Sequence, residues 1–397
     1  MNKRKASRAA VVLLTAAICV VTASRLNADS GSCGGQTTIL PFTDVAGSIF
    51  FCQIAEAYFS GLTNGTDATH YSPSANVTRD QMAAFITRTL DQSLKRGSER
   101  AALDQFWHTQ TPGGFGVSSD AFMDQPLDIK SDGLDLWVAD PSYESNTAGA
   151  VVRIRSNTGN VLQAWEAHLA NSVLIARGKI FATGELSPGT LYVIDPSQPA
   201  GMATVLTNGL GNTPNAIAYD GQHIWTTNSS SVSKITLSPL TVENITTGIG
   251  QPNGILFDGA NIWVVDVGDH KLKKLNSDGT IALSVSIFSE GGKPAFDGTN
   301  IWVPDGHVVR AIGPLAGTVL ATLSGNGCCG YAAAFDGERV MIVGAHGNVS
   351  VWNATDFTPI DNTSVPGASG AVVVKGVCSD GVNFWITVGG THQVVRY

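Results

Sequence analysis

The sequence predicts a mainly β protein: a seven-bladed β-propeller preceded by a small N-terminal helical module. Three observations carry this. The first is a phrase, clearest at Gly254 to Asp266 (GILFDGANIWVVD), that reads as two short strands joined by an Asp-Gly turn. Ile255 and Phe257 alternate before the turn, and Ile262 and Val264 after it; glycine accepts the positive φ that a tight hairpin needs. The second is repetition. Turn residues recur at Asp132, Arg177, Asp220, Asp258, Asp297, Asp336 and Asp380, in steps of 45, 43, 38, 39, 39 and 44 residues. A period of about 40 residues with room for four strands is that of a propeller, whose blades must stack because one alone cannot bury both faces. The third is composition. Only 14% of residues are charged and 44 of 397 are glycine, which suits a β protein with many turns.

Residues 1–28 read as a secretory signal. Lys3, Arg4, Lys5 and Arg8 form the charged start, Ala9 to Ala23 an apolar core, and Leu26-Asn27-Ala28 a small-residue cleavage site. The competing reading is an uncleaved anchor, against which stands the shortness of the core. Cleavage near Ala28 removes five cations and no acid, moving the formal charge from −8 to −13. An acidic exported protein is a poor match for nucleic acid, and none is expected as a partner. Cys33 and Cys52 flank the next segment and, in an exported protein, are expected to form a disulfide.

Residues 29–95 are expected to fold as helix, loop, helix. Phe50, Phe51, Ile54, Ala57 and Tyr58 recur at helical spacing, and Gly61 serves as a stop. Thr78 and Gln81 form a capping box for the second helix, whose buried stripe is Met82, Phe85, Ile86 and Leu90. Four words in order, Phe42-Thr43-Asp44-Val45, Gly61-Leu62-Thr63-Asn64-Gly65, Tyr71-Ser72-Pro73 and Val77-Thr78-Arg79, make this segment resemble the S-layer homology domain. The resemblance implies attachment to cell-wall or envelope polysaccharide, with Asp44, Gly61 and Arg79 at the glycan site. A guanidinium such as that of Arg79 suits an anionic sugar substituent. There is one copy here where the family carries several, a phenylalanine stands for the usual tryptophan, and Gln81 replaces the usual acid. The module is therefore read either as a wall-binding unit or as a structural cap.

Residues 96–104 form a charged, small-residue linker, and residues 105–397 form the propeller. The last repeat has residues for only three strands, since its final hairpin begins at Asp380 and His392 to Tyr397 supplies the third, so a segment within 106–122 is expected to supply the fourth and close the ring. Gln251-Pro252-Asn253-Gly254-Ile255, Ile262-Trp263-Val264-Val265-Asp266 and the strand Lys271 to Leu275 resemble the streptogramin-lyase-like and NHL-like seven-bladed propellers. That resemblance implies the fold and leaves the activity open.

The residue five before each turn residue lies where an inner strand begins, near the channel mouth: Leu127, Ser172, Asn215, Asn253, Gly292, Tyr331 and Lys375. Asn215, Asn253, Tyr331 and Lys375 are the candidate ligand contacts. Gluconolactonase-like propellers hold a metal with asparagines and acids in this region. Here no carboxylate joins Asn215 and Asn253 in register, and a hard cation wants six or more oxygens, so they read as structural and no metal or cofactor is expected. His270, His307, His346 and His392 recur near third strands and read as turn residues rather than as one imidazole cluster. Trp137, Trp225, Trp263, Trp302 and Trp385, with Phe181 and Met341 in the other two blades, read as inter-blade packing. Cys378 reads as a buried free thiol, and the adjacent Cys328 and Cys329 as a vicinal disulfide or two thiols. No catalytic residue is assigned. The expectation is an exported surface protein whose propeller binds an extracellular protein or small-molecule ligand; the alternative is a lyase- or lactonase-type propeller enzyme with a metal at the channel mouth.

Overall fold

The computed structural model describes residues 28–33, 36–59, 62–78, 81, 82, 85, 115–118, 123–142, 149–156, 159–288, 290–324, 330–365, 368, 373–381, 383–389 and 392–397. The chain divides into two compact units, 1–111 and 112–397.

In the first unit, strands β1 (Ser30–Cys33) and β2 (Gln36–Ile39) form an antiparallel hairpin, and helix α1 runs from Phe51 to Phe59. The Cys33–Cys52 disulfide joins hairpin to helix, with Cα atoms 5.5 Å apart. Phe51, Ile54 and Ala55 pack on Leu40, Phe42 and Val45, with Tyr58 and Tyr71 at the edge of that core. Gly65 has φ +79, and a Cβ there would lie 2.5 Å from the Phe42 ring, so this turn requires glycine. Phe50 falls outside the helix and is exposed. The capping box is present: Thr78 N–H donates to Gln81 Oε1 (2.9 Å) and Gln81 N–H to Thr78 Oγ1 (3.4 Å). Met82 corrects the expected buried stripe, since it is 48% exposed; the capping box sets its helix's start but not which face meets the core. Ile86 and Leu90 lie outside the described residues.

The second unit is seven four-stranded antiparallel sheets. The inner strands, in blade order, are β4 (Asp128–Ser131), β8 (Ala170–Ala176), β12 (Ala216–Tyr219), β16 (Pro252–Phe257), β20 (Ala295–Phe296), β24 (Gly330–Phe335) and β28 (Val373–Ser379). Each inner strand contacts the next, and β28 returns to β4. The seventh blade holds β28, β29 (Phe384–Gly389) and β30 (Gln393–Arg396). Its outer strand is β3 (Phe115–Ser118), antiparallel to β30 with Gly116 opposite Val395. The ring is therefore closed by a strand from before the first repeat, as the missing fourth strand required.

Seven apolar cores lie between successive blades, and each is built on the side chain five residues into the repeat: Trp137, Phe181, Trp225, Trp263, Trp302, Met341 and Trp385. The turn aspartate anchors the tryptophan. In blade 4, Asp258 Oδ2 accepts the Trp263 indole N–H (2.7 Å), while Oδ1 accepts the N–H groups of Ala260 (2.8 Å) and Asn261 (2.6 Å). Asp132, Asp220, Asp297 and Asp380 hold their tryptophans in the same way. In blade 6 Met341 stands in place of the tryptophan, and Asp336 Oδ2 instead accepts from Arg339 Nε (2.7 Å). A second aspartate, at the end of the second strand, holds the loop leading to the inner strand: Asp266 accepts the N–H groups of Gly250 and Gln251, and Asp140 those of Asp124 and Gln125.

Blade 2 departs from the expected register. Arg177 and Gly178 both have positive φ (52° and 69°), and Ala176 pairs with Lys179. This is the type I′ two-residue loop, whereas the other turns place a lone positive-φ glycine at the first central position. Counted from Phe181 as from each tryptophan, the position of the turn aspartate is Ala176, not Arg177. The residue in register at the channel is consequently Asn171, not Ser172.

Candidate channel site

The position five before the turn is a β-bulge in four blades. Pairing skips Asn171, Asn253 and Tyr331 in blades 2, 4 and 6, and Lys375 with Gly376 in blade 7. A bulge leaves its residue unpaired and re-aims the side chain. Here the bulged residues stand at the start of the inner strands, at the channel mouth.

Blades 2 to 4 place asparagines there, and these act between blades. Asn171 Nδ2 donates to Pro214 O (3.0 Å) in the next blade, Asn215 Nδ2 to the carbonyl (3.2 Å) and side-chain oxygen of Asn253, and Asn253 Nδ2 to Gly291 O (2.7 Å). The amide donors of Asn215 and Asn253 are thus engaged in stapling neighbours. Sequence reasoning missed Asn171, the first of the three, because the Arg-Gly hairpin carries its glycine one position later than the Asp-Gly hairpins and so shifts the count by one.

Blades 5, 7 and 1 place charge there. Asp128 is buried at the start of β4. Its Oδ2 accepts Ser172 Oγ–H (2.6 Å) and Val173 N–H (3.0 Å), and its Oδ1 faces Lys293 Nζ at 3.3 Å and Lys130 Nζ at 3.6 Å. Blades 1 and 5 are not neighbours, so the Lys293–Asp128 pair spans the channel. Burial alone would raise the Asp128 pKa, but Lys130, Lys293 and the two hydrogen bonds hold it down to about 2. Lys293 moves the other way. Burial, with the nearby charges of Lys130 and Lys375, pushes its ammonium below the ordinary lysine range against the pull of Asp128. Lys375 itself is exposed at the mouth. Asp128, Lys130 and Lys293 went unnoticed because the first two stand together on β4 while Lys293 precedes β20, four blades on, and only ring closure brings it to them.

Between blades 5 and 6 the backbones meet directly: Lys293 N–H donates to Tyr331 O (2.8 Å) and Ala333 N–H to Lys293 O (2.9 Å). A Cβ on Gly292 would lie 2.5 Å from Tyr331 O, so only glycine permits this approach. Above it opens a cavity of about 320 Å³ lined by Asn253, Val267, Glu290 and Tyr331 with the backbone of Gly291 and Gly292. Tyr331 is 38% exposed there. A larger groove, about 470 Å³, lies at the turn end between blades 3 and 4. Its carboxylate, Asp220, is already bound to Trp225 and to backbone N–H groups.

His270 and His392 have positive φ (54° and 61°) immediately before third strands, the geometry of turn residues. Among the described residues, no group of three or more His, Cys, Asp and Glu side chains is placed to hold a metal ion. Cys378 is a buried free thiol on β28, and burial raises its pKa; Cys328 and Cys329 lie outside the described residues. In the first unit, Asp44 Oδ1 accepts Tyr71 N–H (2.9 Å) and Oδ2 accepts Ser72 N–H (2.7 Å), so its carboxylate holds the loop that carries them. Gly61 and Arg79 lie outside the described residues.

This ring is a closed seven-bladed β-propeller with a polar channel mouth. Its fold is similar to that of the WD40 β-propeller domain of Doa1, at 12% identity, over 71% of this chain and 96% of that one, with a TM-score of 0.57. A chain of the nidogen/laminin complex aligns at 16% identity over 58% of this chain and 95% of that one, with a TM-score of 0.45. At 12% identity the likeness to the Doa1 domain is one of fold. No protein-family model and no curated protein matches the sequence.

Proposed function

We propose that the chain is an exported, surface-associated binding protein. In this reading the N-terminal unit attaches to cell-wall or envelope polysaccharide, and the propeller binds an extracellular protein or small-molecule ligand at its channel mouth. The observation that carries it is the mouth cavity, where bulges present Asn253 and Tyr331 beside Glu290 on a rigid ring. Concave polar sites on rigid scaffolds are where ligands bind. The Cys33–Cys52 disulfide supports export, because such bonds persist in oxidising compartments. For the N-terminal unit, the resemblance to S-layer homology domains supports wall attachment through Arg79, with Asp44 holding the adjoining loop.

Fractionation and cosedimentation test this. The protein is expected in the envelope fraction, cleaved near Ala28, and Arg79→Ala is expected to weaken sedimentation with isolated wall glycan. Cytosolic protein with residues 1–28 intact would overturn export; unchanged sedimentation of Arg79→Ala would make the N-terminal unit a structural cap.

A further inference from the structure

The geometry points to an oxyanion site in the channel: Lys130, Lys293 and Lys375 bind the carboxylate, sulfate or phosphate group of a ligand that enters at the mouth. This deepens the proposed function and rests on the propeller being a binding module. The first support is a local charge imbalance. Lys130 of blade 1 and Lys293 of blade 5 face a single carboxylate, that of Asp128, and Lys130 and Lys375 of blade 7 both act on the Lys293 ammonium. One oxygen of that carboxylate is occupied by Ser172 and Val173, and the other is shared by Lys130 at 3.6 Å and Lys293 at 3.3 Å. Both distances exceed those of a tight charge-assisted bond, about 2.7–2.9 Å, so neither ammonium is saturated, and each has three donors.

A comparison inside the molecule shows what a compensated lysine looks like. Lys273 in blade 4 has a side chain only 3% exposed and meets two carboxylates, Asp266 (2.8 Å) and Asp269, together with Gly248 O (2.7 Å). Lys293, at 19% exposed, has half of one carboxylate. An incoming oxyanion supplies the missing acceptors in a low-dielectric setting where each charge counts for more than in water. The second support is access. Lys375 is exposed, on the blade next to Tyr331, so the cations run from the open mouth to the channel interior. In a chain of net charge −8, a cationic channel also draws anions locally.

Isothermal titration of the full-length protein, at fixed low ionic strength, with sodium glucuronate, sodium sulfate, sodium phosphate and neutral glucose tests this. At least one oxyanion is expected to bind and glucose is not. Binding of glucuronate alone identifies a carboxylate ligand; binding of sulfate or phosphate identifies a tetrahedral one. Lys375→Ala, an exposed change, and Lys293→Met are each expected to weaken binding at least tenfold, and Lys179→Ala, paired with Asp195 at the other end of blade 2, to leave it unchanged. Should Lys293→Met not fold, Lys375→Ala and Lys130→Met decide. Absence of oxyanion binding, or binding indifferent to these lysines, overturns the site. Glucose binding that is lost in Tyr331→Ala but kept in Lys375→Ala overturns the oxyanion while leaving the binding-module reading in place.

Discussion

The aspartate at each hairpin turn is the connection between the repeat and the inter-blade core, and its removal has a calculable cost. Asp258→Ala takes away the acceptor of the Trp263 indole N–H and of two turn amides, those of Ala260 and Asn261. Trp263 is fully buried, so its N–H finds no water. A buried donor left unpaired costs about 1–3 kcal/mol. The turn amides lie near the surface and rehydrate, adding less than about 1 kcal/mol. The expected loss is about 2–3 kcal/mol, a fall in Tm of roughly 5 °C for a domain of this size. Asp336→Ala is the internal comparison. It accepts two turn amides as Asp258 does, those of Glu338 and Arg339, but its side-chain partner is the Arg339 guanidinium, 24% exposed, which returns to water, and such ion pairs contribute about 0–1 kcal/mol. The assay is calorimetry of both variants with the parent. The Asp258→Ala loss also depends on pH. Burial opposes ionisation of Asp258, but the indole and turn N–H groups outweigh it and lower its pKa. A depressed carboxylate contributes stability that is complete above its unfolded pKa of about 3.9 and lost as pH falls through the folded value. The gap between parent and Asp258→Ala is therefore full at pH 7 and closes below about pH 4. Equal losses for Asp258→Ala and Asp336→Ala, or a gap that persists into acid, would refute the anchoring argument.

Two further outcomes follow from the same geometry. Asp128→Asn leaves Lys293 without its carboxylate, and breaking a buried pair in this way costs about 3–5 kcal/mol; the double variant Asp128→Asn/Lys293→Met is expected to recover most of that in chemical denaturation, and a double variant as unstable as the single one would contradict the cross-channel pair. Cys33→Ser opens a loop with a sequence separation of 19 residues, for which loop entropy predicts a loss of about 3 kcal/mol; proteolysis within the first unit should accelerate while the propeller's thermal transition stays unchanged.

Much of the ring was legible because its determinants are local or periodic. The Asp-Gly hairpins, the large side chain five residues into each repeat and the three-strand final repeat all follow from spacing, and together they required the closing strand found at Phe115–Ser118. The Thr78–Gln81 capping box was equally local. Blade 2 was misread because Arg177-Gly178 makes a different two-residue loop, with its glycine one position later than in the aspartate turns, which concealed Asn171. The channel charges were beyond local reasoning. Asp128 and Lys130 share β4, but Lys293 and Lys375 belong to blades 5 and 7, far away in sequence, and their convergence on β4 is a property of the closed ring. A signal was present all the same: each is a charge at or beside an otherwise apolar inner strand.

Closure by β3 joins blade 7 to blade 1, whose inner strands β28 and β4 carry Lys375 and Lys130 and contact each other, so it underlies the channel as well as the fold. Amide hydrogen exchange across Gln393–Arg396, in the full-length protein and in a variant lacking residues 115–118, tests it most directly. The account predicts that the deletion speeds exchange at the β30 amides that face β3, while those bonded to β29 remain slow, and that the propeller melts earlier. Unchanged protection throughout Gln393–Arg396 after the deletion would contradict it.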